Sequence, residues 1–162
     1  MRQLLWIMAF ATTANAKSPA KLDVVSYAFP DGAAIPSEFT CDGPEVSPPL
    51  AWSKVPAGTK SIAVLVDDPD APKGTYTHWL VTDIPPTMQA LDKDTALPEG
   101  ATASTNYKGP CPPNGKHHYR FRVYALDTTL PRAMGRAEFV KAVTSHILAT
   151  GELVGTYERV KH

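Results

Sequence analysis

The strongest apolar patterns along this chain have the period of a strand. Ser61 to Asp68, SIAVLVDD, is a β-branched apolar run, His78 to Ile84, HWLVTDI, is a second, and Tyr119 to Leu126, YRFRVYAL, alternates. Leu153 to Arg159, LVGTYER, is a shorter candidate, and Lys21 to Phe29 and Leu50-Ala51-Trp52 add edge pieces. These runs predict strands, half-buried where they alternate and wholly buried where they do not. Turn signals separate them: Pro30-Asp31-Gly32, Asp42-Gly43-Pro44 and Pro98-Glu99-Gly100. One helix is predicted, from about Arg136 to Thr150. There Phe139, Val140, Val143, Ile147 and Leu148 form a stripe at helical spacing, and Gly151 sits where a C-terminal cap belongs. Several strands with a late helix predict a mainly β fold, an antiparallel β-sandwich with one or two peripheral helices near the C-terminus.

The pleat sorts the polar residues at the strand ends. Side chains alternate along a strand, so His117, Tyr119, Phe121 and Val123 share one face, and His118, Arg120, Arg122 and Tyr124 the other. Ile62, Val64 and Val66 share a face with Asp68, and Asp70 follows in the DPDAP turn, so two carboxylates are expected to crown that apolar face. By the same count His78 lies with Leu80, opposite Trp79 and Val81, and Trp79 is expected in the core.

The first 16 residues stand apart. MRQLLWIMAFATTANA carries one charge, Arg2, then an apolar run, then Ala14-Asn15-Ala16, the small-x-small pattern of a signal-peptidase site. The run is too short for a membrane span of ~20 residues. We therefore expect residues 1–16 to be a signal peptide and 17–162 to form one exported domain, bound for a bacterial periplasm, with no later segment able to span a membrane.

Composition narrows the partners. The chain is 43% hydrophobic and 20% charged, with 16 basic and 16 acidic residues. Without Arg2 the balance is 15 against 16, a net −1. No Lys/Arg cluster stands out, so nucleic acid is not an expected partner, since backbone binding needs concentrated positive charge. The two cysteines, Cys41 and Cys111, favour a disulfide in an oxidising compartment, with two separate buried thiols as the alternative. There is no CxxC pair to suggest a zinc ribbon or a redox site.

A strand-end histidine is commonly a hydrogen-bonded structural residue, and an Asp before Pro commonly just starts a turn. Here two acids, two histidines and a tyrosine converge beside a Gly/Pro-rich loop, and buried ionisable groups are costly unless paired. Such a cluster is a mutual network or a site.

DDPDAP (Asp67 to Pro72), HWLVTDIP (His78 to Pro85) and GPCPPNGKHHYRFRVYALD (Gly109 to Asp127) resemble the phosphatidylethanolamine-binding protein family, in its bacterial Raf-kinase-inhibitor-like branch. FTCDGPEVSPPLAW and HILATGELVGTYER extend the similarity over essentially the whole mature chain. The resemblance implies a β-sandwich with a small anion pocket for phosphate-type groups, including phosphoethanolamine headgroups. It places Asp68, Asp70, His78, His117 and Tyr119 in the pocket and Gly109 and Pro112 in its wall. It also implies a homodimer and a binding protein, not an enzyme, with no cofactor. His118 departs from the family, where this position is often Arg; facing away from Tyr119, it is expected to alter the surroundings of the pocket.

As an anion site, the cluster would offer the Tyr119 O–H, imidazole N–H groups of His78 and His117, and loop amides. Asp68 or Asp70 would fix a histidine tautomer or accept from a ligand ammonium. Three alternatives are weighed. Asp68, Asp70, His78 and His117 are good zinc ligand types for a metal-dependent hydrolase, though without HExxH-type spacing. A serine hydrolase is disfavoured by the absence of G-x-S-x-G. A protein-interaction module, inhibiting a kinase or protease, would use the same pocket to receive a partner's phosphate or carboxylate.

Overall fold

A computed structural model describes residues 18–130 and 132–159; the expected signal peptide lies outside them. Two sheets carry the fold. The larger has the order β1-β9-β8-β4-β5-β7, from β1 (Ala20–Lys21), β9 (Ile147–Glu158), β8 (Lys116–Leu126), β4 (Ser61–Asp68), β5 (Tyr76–Ile84) and β7 (Thr102–Thr105). The smaller has the order β2-β3-β6, from β2 (Asp23–Val25), β3 (Leu50–Ser53) and β6 (Ala90–Leu91). Among these strands the pairings are antiparallel except that of β1 with β9.

Alternation builds the core. Ile62, Val64 and Val66 of β4 and Tyr119, Phe121 and Val123 of β8 pack with Val24, Leu50, Trp52 and Leu91 of the small sheet in one buried cluster. Trp79 and Val81 join them, so Trp79 is core as expected. The opposite face of β4, with Ala63 and Leu65, packs with Leu80, Tyr124 and Leu126 under Phe139 and Val143 of the helix. β4 is buried at all eight positions because both of its faces are covered. On the helical side Asp67 is 0% exposed. It accepts from Arg122 Nη2 at 2.7 Å, from Arg136 Nε at 2.9 Å and from the Thr77 hydroxyl at 3.1 Å, as a buried carboxylate must.

The predicted helix is half right. α1 runs only from Arg136 to Val143, and Ile147 and Leu148 open β9 instead. β8 decides this: its eleven residues present a long edge, and β9 pairs along it from Ile147 opposite Leu126 to Glu158 opposite Lys116. That ladder outweighs the helical spacing of two aliphatic side chains. Gly151 is therefore no helix cap. It lies opposite Val123, and a Cβ there would stand 2.4 Å from the carbonyl oxygen of Leu22, so it is glycine because the chain crosses β9 at that point. The predicted edge piece from Lys21 to Phe29 is likewise split, with β1 on one sheet and β2 on the other.

Cys41 and Cys111 form a disulfide across a sequence separation of 70. Loop-closure entropy for a ring of that size is worth about 4 kcal/mol.

Candidate functional site

The strand ends of β4, β5 and β8 open into a cleft of about 360 Å³. Asp68, His78 and His117 line it from the sheet, Ala71 and Pro72 from the turn after β4, and Gly109, Pro112 and Pro113 from the loop before β8. Cys41 and Cys111 also line it, so the disulfide fastens the loop before β8 to the segment at Cys41.

β8 delivers its two histidines as the pleat requires. His117 is 6% exposed, and its Nδ1 lies 2.7 Å from Asp68 Oδ2. Asp68 is itself 4% exposed, and its Oδ1 accepts the amide of Asp70 at 2.8 Å. One carboxylate thus both closes the DPDAP turn and orients the imidazole. With Nδ1–H given to Asp68, Nε2 is the nitrogen of His117 available to a ligand.

His78 reaches the cleft by a route the alternation does not predict. Strict alternation puts it with Leu80, towards the helix. In the ladder with β4, Val66 faces Trp79 but Asp67 faces Thr77, which leaves His78 as an extra residue in β5. This bulge reverses the facing of the strand. The His78 ring consequently stands 5.1 Å from that of Tyr119, edge to face, and 4.8 Å from that of Tyr76. Its Nδ1 lies 2.7 Å from the carbonyl oxygen of Lys108, while the Lys108 amide donates to the His78 carbonyl at 2.8 Å. A carbonyl only accepts, so Nδ1 carries the proton and Nε2 is left with its lone pair. Burial pushes the pKa of His78 below 6.5, against the opposing pull of the Lys108 carbonyl and the Asp68, Asp67 and Glu45 carboxylates.

Tyr119, expected in the pocket, does not itself line the cleft; its ring packs behind those of His78 and His117. It is 1% exposed, and its ring is near-parallel to His117 at 6.5 Å. Its hydroxyl is buried and has no hydrogen-bond partner among the described residues. Burial, reinforced by Asp68 and Asp70, raises its pKa, so it stays an O–H donor.

Asp70 is not brought into the cleft. Its Oδ2 accepts the backbone amide of His118 at 2.8 Å and lies 2.8 Å from His118 Nδ1, on an exposed surface. The hydrogen bonds from His118 hold its carboxyl below the usual 3.8. His118, the departure from the family pattern, is therefore the partner of Asp70 and faces outward as expected. Of the four residues weighed as metal ligands, Asp68, His78 and His117 line the cleft and Asp70 does not, and among the described residues no group of three or more such side chains is placed to hold an ion.

Glu45, Tyr76 and Lys108 line the cleft without having been singled out in the sequence. Tyr76 and Lys108 had a signal, each lying beside a motif residue. Glu45 had only its place in a Gly/Pro-rich segment. It adopts a left-handed φ of 60°, and its Oε1 accepts the Gly109 amide at 3.0 Å. Gly109 fits there because it has no side chain: a Cβ would stand 2.7 Å from the Phe39 carbonyl oxygen and 2.8 Å from Thr40 Cα.

A sequence model described as phosphatidylethanolamine-binding protein matches residues 25–158. The chain belongs to this family. A family relative from Methanothermobacter thermautotrophicus, named only as a UPF0098 protein, is 41% identical over 85% of this chain and 99% of its own. The crystal structure of Escherichia coli YbcL, described as a member of the mammalian phosphatidylethanolamine-binding protein family, superposes with a TM-score of 0.79 at 34% identity, over 87% of this chain and all of that one. A Mycobacterium tuberculosis relative, provisionally named lipoprotein LppC, is 42% identical over 91% of this chain and 80% of its own. The family match spans β2 to β9, and so takes in every residue of the cleft.

Proposed function

We propose that the cleft binds a small ligand through a phosphate-type group, with phosphoethanolamine as the representative zwitterion, and that the protein is a binding protein without catalytic activity. The observation that carries this is the Tyr119 hydroxyl, buried and unpartnered behind two oriented imidazoles. A buried donor left unmade costs about 1–3 kcal/mol, and an incoming oxygen would recover that cost. His117, its Nδ1 held by Asp68, has Nε2 left for the ligand. The family description, which names a phosphate-bearing lipid, supports the ligand class. A protein partner would enter by the same cleft, presenting a phosphate or carboxylate, as an inhibitor module requires. Export to the periplasm is supported by the leader pattern of residues 1–16 and by the lipoprotein name of the mycobacterial relative. No helix among the described residues is long and apolar enough to cross a membrane.

Tyr119→Phe separates binding from architecture. Removing an unpartnered hydroxyl should leave stability unchanged or raised, while phosphoethanolamine binding in titration calorimetry should weaken about tenfold, as one lost charge-assisted hydrogen bond implies. His117→Ala should abolish the binding heat. Equal heats for wild type and both variants would sink the assignment.

A further inference from the structure

Resting on that phosphate-binding reading, we propose that His78 makes the cleft select ligands that bring a hydrogen-bond donor with their oxyanion, a P–O–H in inorganic phosphate or the ammonium in phosphoethanolamine, so that it takes phosphate and rejects sulfate. The lock on the ring carries the inference. Lys108 and His78 exchange two hydrogen bonds, amide to carbonyl at 2.8 Å and Nδ1–H to carbonyl at 2.7 Å. The ring cannot turn its Nδ1–H to a ligand without breaking that contact. It is 6% exposed, and burial keeps it neutral. Nε2 therefore presents a lone pair to whatever occupies the cleft.

The remaining charged groups sharpen the preference. Asp68 and Glu45 add carboxylates to the lining, Lys108 is an exposed lysine on it, and Tyr76, also in the lining, and Tyr119 set their rings against that of His78. His117 is turned to Asp68. Asp67, behind the bulge, is taken by Arg122 and Arg136. The lining thus presents acceptors, and behind it the Tyr119 O–H is a buried donor without a partner among the described residues. Sulfate has lost both protons at neutral pH and offers acceptors only, so it meets the His78 lone pair with a lone pair of its own. Inorganic phosphate keeps at least one P–O–H, which donates to Nε2 while another of its oxygens accepts from the Tyr119 O–H. A polar group forced against its like loses its hydration without return. The proton stays on phosphate, shared with Nε2, and no covalent bond changes.

Titration of wild type with inorganic phosphate and with sulfate at matched ionic strength, near neutral pH, tests this. Phosphate should bind at least about tenfold tighter, the value of one such mismatch. In His78→Gln the amide turns either its oxygen or its NH₂ to the ligand, so the gap should shrink to about threefold or less. Imidazole ¹⁵N shifts of wild type saturated with phosphate need no variant, and should report a neutral His78 ring protonated at Nδ1. Sulfate binding as tightly as phosphate, a gap that survives in His78→Gln, or a doubly protonated ring would each overturn the selection while leaving phosphate binding in place. Binding of neither anion would overturn the phosphate reading itself, and the selection with it.

Discussion

His117 Nδ1 and Asp68 Oδ2 meet at 2.7 Å, with side chains only 7% and 5% exposed. The two residues lie 49 positions apart, on neighbouring antiparallel strands whose register brings Val66 opposite Phe121 and Asp67 opposite Arg120. One further step along each strand places Asp68 beside Tyr119, and so within reach of His117. The pair sets which nitrogen of His117 meets a ligand, and it anchors the turn that forms one wall.

Asp68→Asn should therefore weaken phosphoethanolamine binding about tenfold or more, and lower stability by about 1–3 kcal/mol, since a buried hydrogen-bonded group loses its partner. Asp70→Asn, on the exposed His118 contact, should change affinity less than about threefold, as surface pairs contribute little. Calorimetry and urea unfolding of both variants check this. An Asp70 variant as impaired in binding as the Asp68 variant would refute the placement of Asp70 outside the cleft.

Stability should carry a pH signature from His78. Its folded pKa lies below 6.5, so the unfolded chain takes up a proton at this residue before the folded chain does. The contribution is complete above 6.5 and declines as pH falls from there towards the lowered folded value. Asp70, held below 3.8, acts in a separate window: its contribution persists above 3.8 and is lost only as pH falls through its own lowered value. Urea unfolding at about pH 7.5 and about pH 5 should show wild type losing more stability than His78→Gln. Equal losses would remove His78 as the source.

The wall loop can be tested at its two glycines. Gly109→Ala drives a Cβ to 2.7 Å from the Phe39 carbonyl oxygen, so backbone must move; a cost of about 1–3 kcal/mol is expected, with weaker ligand binding because the wall shifts. Gly115→Ala has φ +63° and nothing within 4 Å of the added atom. It should cost about 1–2 kcal/mol of left-handed strain and leave affinity unchanged. Thermal unfolding and calorimetry of the two variants would expose any reversal of that order.

Much of the fold was legible because its signals are local. The unbroken apolar run of Ser61 to Asp68 requires a strand covered on both sides, and the alternation from Tyr119 to Leu126 requires one with two unlike faces. The same alternation put His117 with Tyr119 and turned His118 away. Signals that rest on spacing alone were less secure: Ile147 and Leu148 fit a helical stripe as well as a strand, and the long edge of β8 settled the matter.

What the sequence determined by itself was which residues alternate, which turns interrupt them, and that Asp68, His117 and Tyr119 stand at strand ends on inward faces. Tertiary structure alone decided how they face one another. The extra residue that swings His78 towards Tyr119 exists only in the pairing of β5 with β4. The partner of Asp70, the left-handed turn that brings Glu45 to Gly109, and the unpartnered Tyr119 hydroxyl likewise depend on segments 48 and 64 residues apart, or on burial by the whole sheet. Periodicity is a property of neighbouring residues, whereas register, bulges and the satisfaction of buried polar atoms are set only when distant strands pair.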